Sequence, residues 1–221
     1  MQILEFYKEN NQQVNIERFY KILGTIGANT QKEKYIVNEK EILKLSEELK
    51  TIKAGIEMAD TYHDLIYRAL KQIFDGNLSR GLKEVKIDNG IKRVDIVFDN
   101  FAKNGFFAYV SDSCKVYCPK ILVECKNYNS DPKNPEIDQL IGRLGKHTGK
   151  LGILVCRTVE DKKRLLERCQ KALRKEQGHI IFLTDDDIRQ LLVFKANNDD
   201  DGILQLLMVK WDCLVLEQEL K

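Results

Sequence analysis

The sequence predicts an α/β fold with a central mixed β-sheet flanked by helices. Three observations carry this. A long helical pattern runs from about Glu39 to Phe74. Leu82 to Ile87 alternates apolar and polar side chains, Asp88-Asn89-Gly90 is a hairpin turn, and Ile91 to Phe98 returns as a strand. Finally, Lys120 to Lys126, a helix and Leu151 to Cys156 form a strand–helix–strand step. Such a step implies a parallel crossover beside the antiparallel hairpin, hence a mixed sheet.

Each element has a local reason. The first fifty or so residues read as polar helices, with Gly24 and Gly27 as breakers. Asn38 followed by Glu41 resembles a capping box. Gly55 is placed to split the long helix in two. In the second half, Met58, Tyr62, Leu65, Ile66, Ala69, Leu70 and Ile73 recur at helical spacing. Gly105 to Val110 reads as a further strand. Pro135 suits the first turn of a helix running to about His147. Thr158 is the expected cap of a charged helix to about Lys175, Ile180 to Leu183 is a short strand, and Thr184 caps the next helix. An acidic, flexible segment, Asn197 to Gly202, leads into a C-terminal helix. The expected organisation is a helical arm over 1–55, a core over 56–195, and an acidic loop with a C-terminal helix over 196–221.

Composition bounds the function. The 221 residues suit one substantial domain with additions, and 43% hydrophobic with 32% charged residues describes a globular chain. No apolar run has membrane-spanning length, and Met1-Gln2-Ile3-Leu4-Glu5 turns polar at once, so neither a membrane span nor a signal peptide is expected. A cytoplasmic location and free thiols follow from the six unpatterned cysteines. Cys125, Cys156 and Cys169 fall in strand or helix patterns and read as core. Cys114 and Cys118 have half the spacing of a zinc site, with no second pair nearby. A net charge of +2 leaves any nucleic-acid contact to local basic patches.

The chemistry concentrates in Ile121-Leu122-Val123-Glu124-Cys125-Lys126. An acid and an amine interrupt a run that otherwise wants both faces covered. Residues two apart on a strand share a face, so Glu124 and Lys126 look into one space. A lone buried charge is expensive, so that space is a polar cleft or a partner. Asp95 sits in a similar strand, Arg93-Val94-Asp95-Ile96-Val97. The triplet Glu-x-Lys by itself carries little information, since it recurs at Glu48/Lys50, Glu84/Lys86, Glu160/Lys162 and Glu219/Lys221. The bland alternative for Glu124 and Lys126 is a buried structural ion pair.

With Asp95 upstream and Glu124-x-Lys126 at the end of an apolar strand, the chain resembles the PD-(D/E)XK nuclease superfamily, the restriction-endonuclease-like fold, and its Mrr-like branch in particular. The resemblance covers roughly residues 58–183. It implies a metal-dependent endonuclease acting on DNA, with a defence role against foreign DNA. It also implies Mg²⁺ or Mn²⁺ held by Asp95, Glu124, the carbonyl of Cys125 and Asp64. Lys126 and Gln139 would join Asp95 and Glu124 in catalysis, and Arg143 and Lys146 would hold substrate phosphates. Three features stand out: no proline precedes Asp95, an aspartate, Asp64, stands where a glutamate is more usual, and the gap from Asp95 to Glu124 is long for the family, so that residues 100–118 look like an inserted hairpin or loop. The physical chemistry agrees, because Mg²⁺ takes hard oxygen ligands and a positioned cation offsets charge at phosphorus.

Other features divide between functional and ordinary readings. His63 and His147 are candidates for substrate contact, though a histidine near a helix end is more often structural. Lys146, His147 and Lys150 suit a DNA backbone or a solvated helix end equally. Asp185-Asp186-Asp187 after Thr184 reads better as a helix N-terminus than as a metal cluster. The alternatives are an RNA- or structure-specific nuclease, or a binding or assembly subunit. A homodimer or partner protein would dock through the N-terminal arm or the C-terminal helix.

Overall fold

The computed structural model describes residues 28–217. In it the hairpin and the crossover combine into a five-stranded mixed sheet with flanking helices, the expected α/β class. The helices are α1 (Ala28–Thr51), α2 (Ala59–Ile73), α3 (Gly105–Ala108), α4 (Asn134–Ile141), α5 (Lys162–Arg174), α6 (Asp185–Ala196) and α7 (Asp200–Val215). The strands are β1 (Leu78–Ile87), β2 (Lys92–Asn100), β3 (Lys120–Lys126), β4 (Leu151–Cys156) and β5 (His179–Thr184), and they lie side by side in chain order. The β1/β2 and β2/β3 pairs are antiparallel, whereas β3/β4 and β4/β5 are parallel.

The hairpin turn forms where Asp88 and Asn89 adopt left-handed backbone, which their short polar side chains tolerate. Central strands are buried on both sides: every residue of β4 is buried, as is Ile121 to Cys125 of β3. α2 packs on β3 and α6, while α4 packs on β3 and β4. Gly152 on β4 makes the second contact possible, since a Cβ there would lie 3.0 Å from the side chain of Leu140. The close approach seats the C-terminal end of α4 against β4, beside β3.

Four expectations change. First, the compact unit begins at Ile42, not at residue 56. Ile42, Leu45, Leu49 and Ile52 are buried in its core, because the second half of α1 carries an apolar face of its own. α1 also runs straight through Asn38, so no helix starts there. The rest of the expected arm, with its role in dimer or partner docking, lies outside the described residues up to residue 27. Second, Gly105 to Val110 is helical, with Tyr109–Ser113 continuing as a π turn. Phe106, Phe107, Ala108 and Val110 are all buried. The segment is wedged into the core as a helix, with Phe107 edge-on to Phe74 and Phe106 edge-on to Trp211. Third, α4 stops at Ile141 with Gly142 as its cap, and residues 143–149 turn back through a Gly145–Gly149 bridge. Fourth, Asn197 to Gly202 is a tight helix–helix junction in which the Asp199 carboxylate accepts from Gly202 N at 2.8 Å. α7 then buries Ile203, Leu207, Trp211, Cys213 and Leu214, so it belongs to the core instead of forming a separate segment. A smaller shift falls at α5, which is capped by Asp161 and not by Thr158.

The new boundary has a measurable consequence. Removing residues 1–41 is expected to leave a cooperative melting transition. Removing 1–50 deletes Ile42, Leu45 and Leu49, at about 2–5 kcal/mol each for such core losses. That sum rivals the whole stability of a typical domain, so the shorter chain should be insoluble or lack a transition. A cooperative melt for the shorter chain would show that α1 adds nothing to the core.

All six cysteines are free, and all but Cys114 are buried. Burial pushes the Cys156 and Cys169 thiols up to about 12, which leaves them inert packing groups. Among the described residues no helix is long and apolar enough to cross a membrane.

Candidate active site

The register of the β2/β3 pair places the two strand-borne acids together. Ile96 pairs with Val123, and one further step along both strands sets Asp95 beside Glu124. Cross-strand neighbours of this kind have Cβ atoms about 5 Å apart on a shared face. Both side chains are buried. Asp95 Oδ2 accepts from Cys125 N at 2.9 Å, which ties the two strand ends together.

Glu124 and Lys126 point toward α4. Lys126 Nζ donates to Glu124 Oε1 at 2.7 Å and to Gln139 Oε1 at 3.2 Å. Arg143, just past the end of α4, pairs with Glu124 Oε2. The Arg143 backbone is held in the turn, its carbonyl accepting from Thr148 Oγ1 at 2.7 Å. Desolvation draws the Arg143 guanidinium below its ordinary value, with nearby Asp95 acting against this. On the α2 side, His63 Nε2 lies 3.1 Å from the Cys125 carbonyl oxygen. These groups line a cleft of about 300 Å³, together with Gly55, Ile56, Ala59, Arg93, Asn127 and Tyr128.

The cleft therefore gathers His63, Asp95, Glu124, Cys125, Lys126, Gln139 and Arg143 from the residues singled out in the sequence. Two others stand elsewhere. Asp64 is not among the lining residues; its carboxylate pairs with Lys83 at 2.5 Å and with Arg68 at 3.2 Å. Neighbouring positions of a helix face about 100° apart, so once His63 turns to Cys125, Asp64 turns away toward β1. The Lys83 hydrogen bond holds the Asp64 carboxyl below its usual range. Lys146 is exposed on the turn after α4, beside the exposed His147, and neither lines the cleft. Arg93, Asn127, Ile56 and Tyr128 were not singled out. Arg93 was within reach of the strand argument, being two residues from Asp95 and so on its face of β2. Asn127 carried no sequence signal.

The donor set is suited to a hard divalent ion: two carboxylates and one carbonyl. Among the described residues, however, no three His, Cys, Asp or Glu side chains are already grouped to hold one. Both oxygens of Glu124 are engaged by cations, and the Cys125 carbonyl is engaged by His63. The chemistry of the donors fits an ion; their present partners compete with it.

Behind the cleft lies a second polar network. Asn127 Oδ1 accepts from Arg157 Nη1 at 3.2 Å, and Arg157 Nε pairs with Asp185 Oδ2 at 2.8 Å. Tyr62 donates to Asp185 Oδ1 at 2.8 Å, and the guanidinium lies over the Tyr62 ring. Asp186 and Asp187 have their own partners, Arg189 and Lys210, and Thr184 Oγ1 accepts from Asp187 N. The acidic triplet is thus a helix N-terminus. Burial raises the Asp185 carboxyl to about 6, against the opposing pull of Tyr62 and Arg157. A raised carboxyl holds its proton longer in the folded chain than in the unfolded one. Its contribution to stability is complete below the ordinary value of 3.8 and is lost as pH rises through about 6. In urea titrations across this window, wild type should lose roughly 2–3 kcal/mol relative to Asp185→Asn. A difference that is flat with pH would show that Asp185 stays ionised throughout.

No protein-family model and no curated protein matches the chain. A solved structure, MspJI restriction endonuclease in complex with a 27-mer oligonucleotide, is similar to 84% of this chain at 14% sequence identity, with a TM-score of 0.37. This chain spans 36% of that protein's length.

Proposed function

We propose that the chain is a metal-dependent endonuclease of the PD-(D/E)XK type, in its Mrr-like branch, hydrolysing phosphodiester bonds in DNA. The observation that carries this reading is the cleft at the end of β3: Glu124 and Lys126 on one strand face, Asp95 beside them, and Gln139 on Lys126. Asp95, Glu124 and the Cys125 carbonyl would hold Mg²⁺ or Mn²⁺. Such an ion, when bound, activates a water and offsets charge on the phosphate oxygens.

This chain's own residues do the rest. Lys126, steadied by Gln139, orients the attacking water and donates to the phosphate oxygen on which charge builds. Arg143 and Arg93, both at the cleft, are placed to grip the phosphate, and Arg143 does so by exchanging Glu124 for the substrate anion. The oxygen of water forms the new bond to phosphorus and gives up a proton to solvent, the bond to the departing sugar oxygen breaks, and that oxygen takes a proton from solvent. A defence role against foreign DNA belongs to the same proposal.

The test is incubation with plasmid DNA, single-stranded DNA and RNA in Mg²⁺, Mn²⁺ or EDTA. Cutting of DNA with either ion and not with EDTA is expected. RNA cut in preference to DNA would shift the substrate. Nucleic acid left whole under every condition would favour a second reading, a binding or assembly subunit. One observation speaks for that reading: Glu124 is engaged on both oxygens, as in a buried structural ion pair.

A further inference from the structure

The cleft has an apolar rim that the hydrolytic chemistry does not use. Ile56 is 89% exposed and Tyr128 is 37% exposed, and both line the cleft that holds Asp95, Glu124 and Lys126. Isolated surface hydrophobics are ordinary, but these two are held in place by one side chain. Asn127, itself buried, directly precedes Tyr128. It also clamps the segment that carries Ile56: Gly55 N donates to the Asn127 carbonyl at 2.7 Å, and Asn127 Nδ2 donates to Gly55 O at 2.8 Å and Lys53 O at 3.2 Å. Arg157 braces the clamp from behind. Gly55 has φ +131, a backbone conformation that side chains rarely adopt, and it lets the chain turn so that Ile56 faces solvent. The fold thus fixes an isoleucine and a tyrosine at the mouth of the cleft, where Lys126 and Arg143 sit on Glu124 and the exposed Arg93 stands at the edge.

An occupant that satisfies both parts must carry an anion beside a flat apolar surface. A paired duplex offers the anion, but its base faces are already stacked on one another. An unpaired nucleotide offers both, with its phosphate to the cations and its base face to Tyr128 and Ile56. We propose that Ile56 and Tyr128 are a base-stacking rim that makes unpaired DNA the preferred substrate of this cleft. This rests on reading the cleft as a nuclease site, and it adds the substrate class.

The experiment uses the full chain and three fluorescent probes: a DNA duplex, the same duplex with a central unpaired stretch, and the single strand. Affinities are measured by anisotropy in Ca²⁺, and cutting in Mg²⁺. Stacking one base on a side chain corresponds to a preference of about 5- to 150-fold. Wild type should prefer both unpaired probes by a factor in this range. Tyr128→Ala and Ile56→Ala should each reduce the preference while leaving duplex affinity unchanged, and the double variant should erase it. Equal affinity of wild type for duplex and unpaired probes overturns the rim and leaves the nuclease reading standing. A preference that survives in the double variant also overturns it. Binding to none of the probes overturns both the rim and the nuclease reading.

Discussion

Glu124→Ala is expected to lose cleavage and also to destabilise the protein, by about 3–5 kcal/mol. The stability loss follows from the geometry. Among the described residues Glu124 is the carboxylate that pairs with both Lys126 and Arg143, and all three side chains are largely buried. Deleting it leaves two largely buried cations without their paired carboxylate and with Asp95 alone nearby, which costs more than the pairs contribute while intact. Glu124→Gln keeps the side-chain shape and an oxygen that accepts from Lys126 or Arg143, so it should cost less stability while still losing cleavage. The comparison also tests the ion. Asp95 and Glu124 lie side by side on neighbouring strands, and a divalent cation should relieve their repulsion and raise the melting temperature. That rise should vanish in Glu124→Gln and in Asp95→Asn. A full metal-induced rise in either variant would place the ion somewhere else. Unchanged stability in Glu124→Ala would mean that Lys126 and Arg143 reach solvent more freely than their burial indicates.

The sequence made the centre of the fold legible because there local chemistry and tertiary demand agree. Asp88-Asn89-Gly90 suits a turn in left-handed backbone, and the structure turns there. Ile121 to Val123 wants both faces covered, and α2 and α4 cover them. Glu124 and Lys126 were visible as charges that such a strand cannot carry without a reason. The periphery was less legible because its burial depends on partners distant in sequence. Phe106, Phe107 and Val110 alternate weakly enough to pass for a strand, and only their packing reveals a helix: Phe107 meets Phe74, and Phe106 meets Trp211 of α7. The second half of α1 read as part of a polar arm because its apolar Ile42, Leu45 and Leu49 are interspersed with Lys44, Glu47, Glu48 and Lys50. The acidic run at Asn197 to Gly202 looked flexible, yet Asp199 is a helix cap.

Within the cleft, the strand residues could be anticipated and the helix residues only in part. The period of a strand fixes which side chains share a face, so Asp95, Glu124 and Lys126 followed from spacing. On α2, one position separates His63 from Asp64, and nothing local decides which of them turns inward. Packing of Leu65, Ile66 and Tyr62 into the core sets that rotation. Arg143 was anticipated as a residue for substrate, and its contact with Glu124 depends on where α4 ends and on how closely Gly152 admits it.

Lys126→Met is the variant expected to separate the chemistry from the scaffold. Cleavage should fall by about 10²- to 10⁴-fold, the range associated with removing a group that orients water or stabilises charge at the reacting centre. Stability should change little, because Glu124 keeps Arg143 as a partner and the methionine fills the space of the lysine stem. Metal binding should be retained and should tighten, since the ammonium now on Glu124 Oε1 at 2.7 Å competes with any ion for that oxygen. Calorimetry with Mn²⁺ measures the second effect without relying on cleavage. A structural ion pair predicts a different pattern: loss of stability, no change in ion affinity, and no cleavage to lose. If Lys126→Met cut DNA as fast as wild type, the reacting centre would have to be sought away from β3.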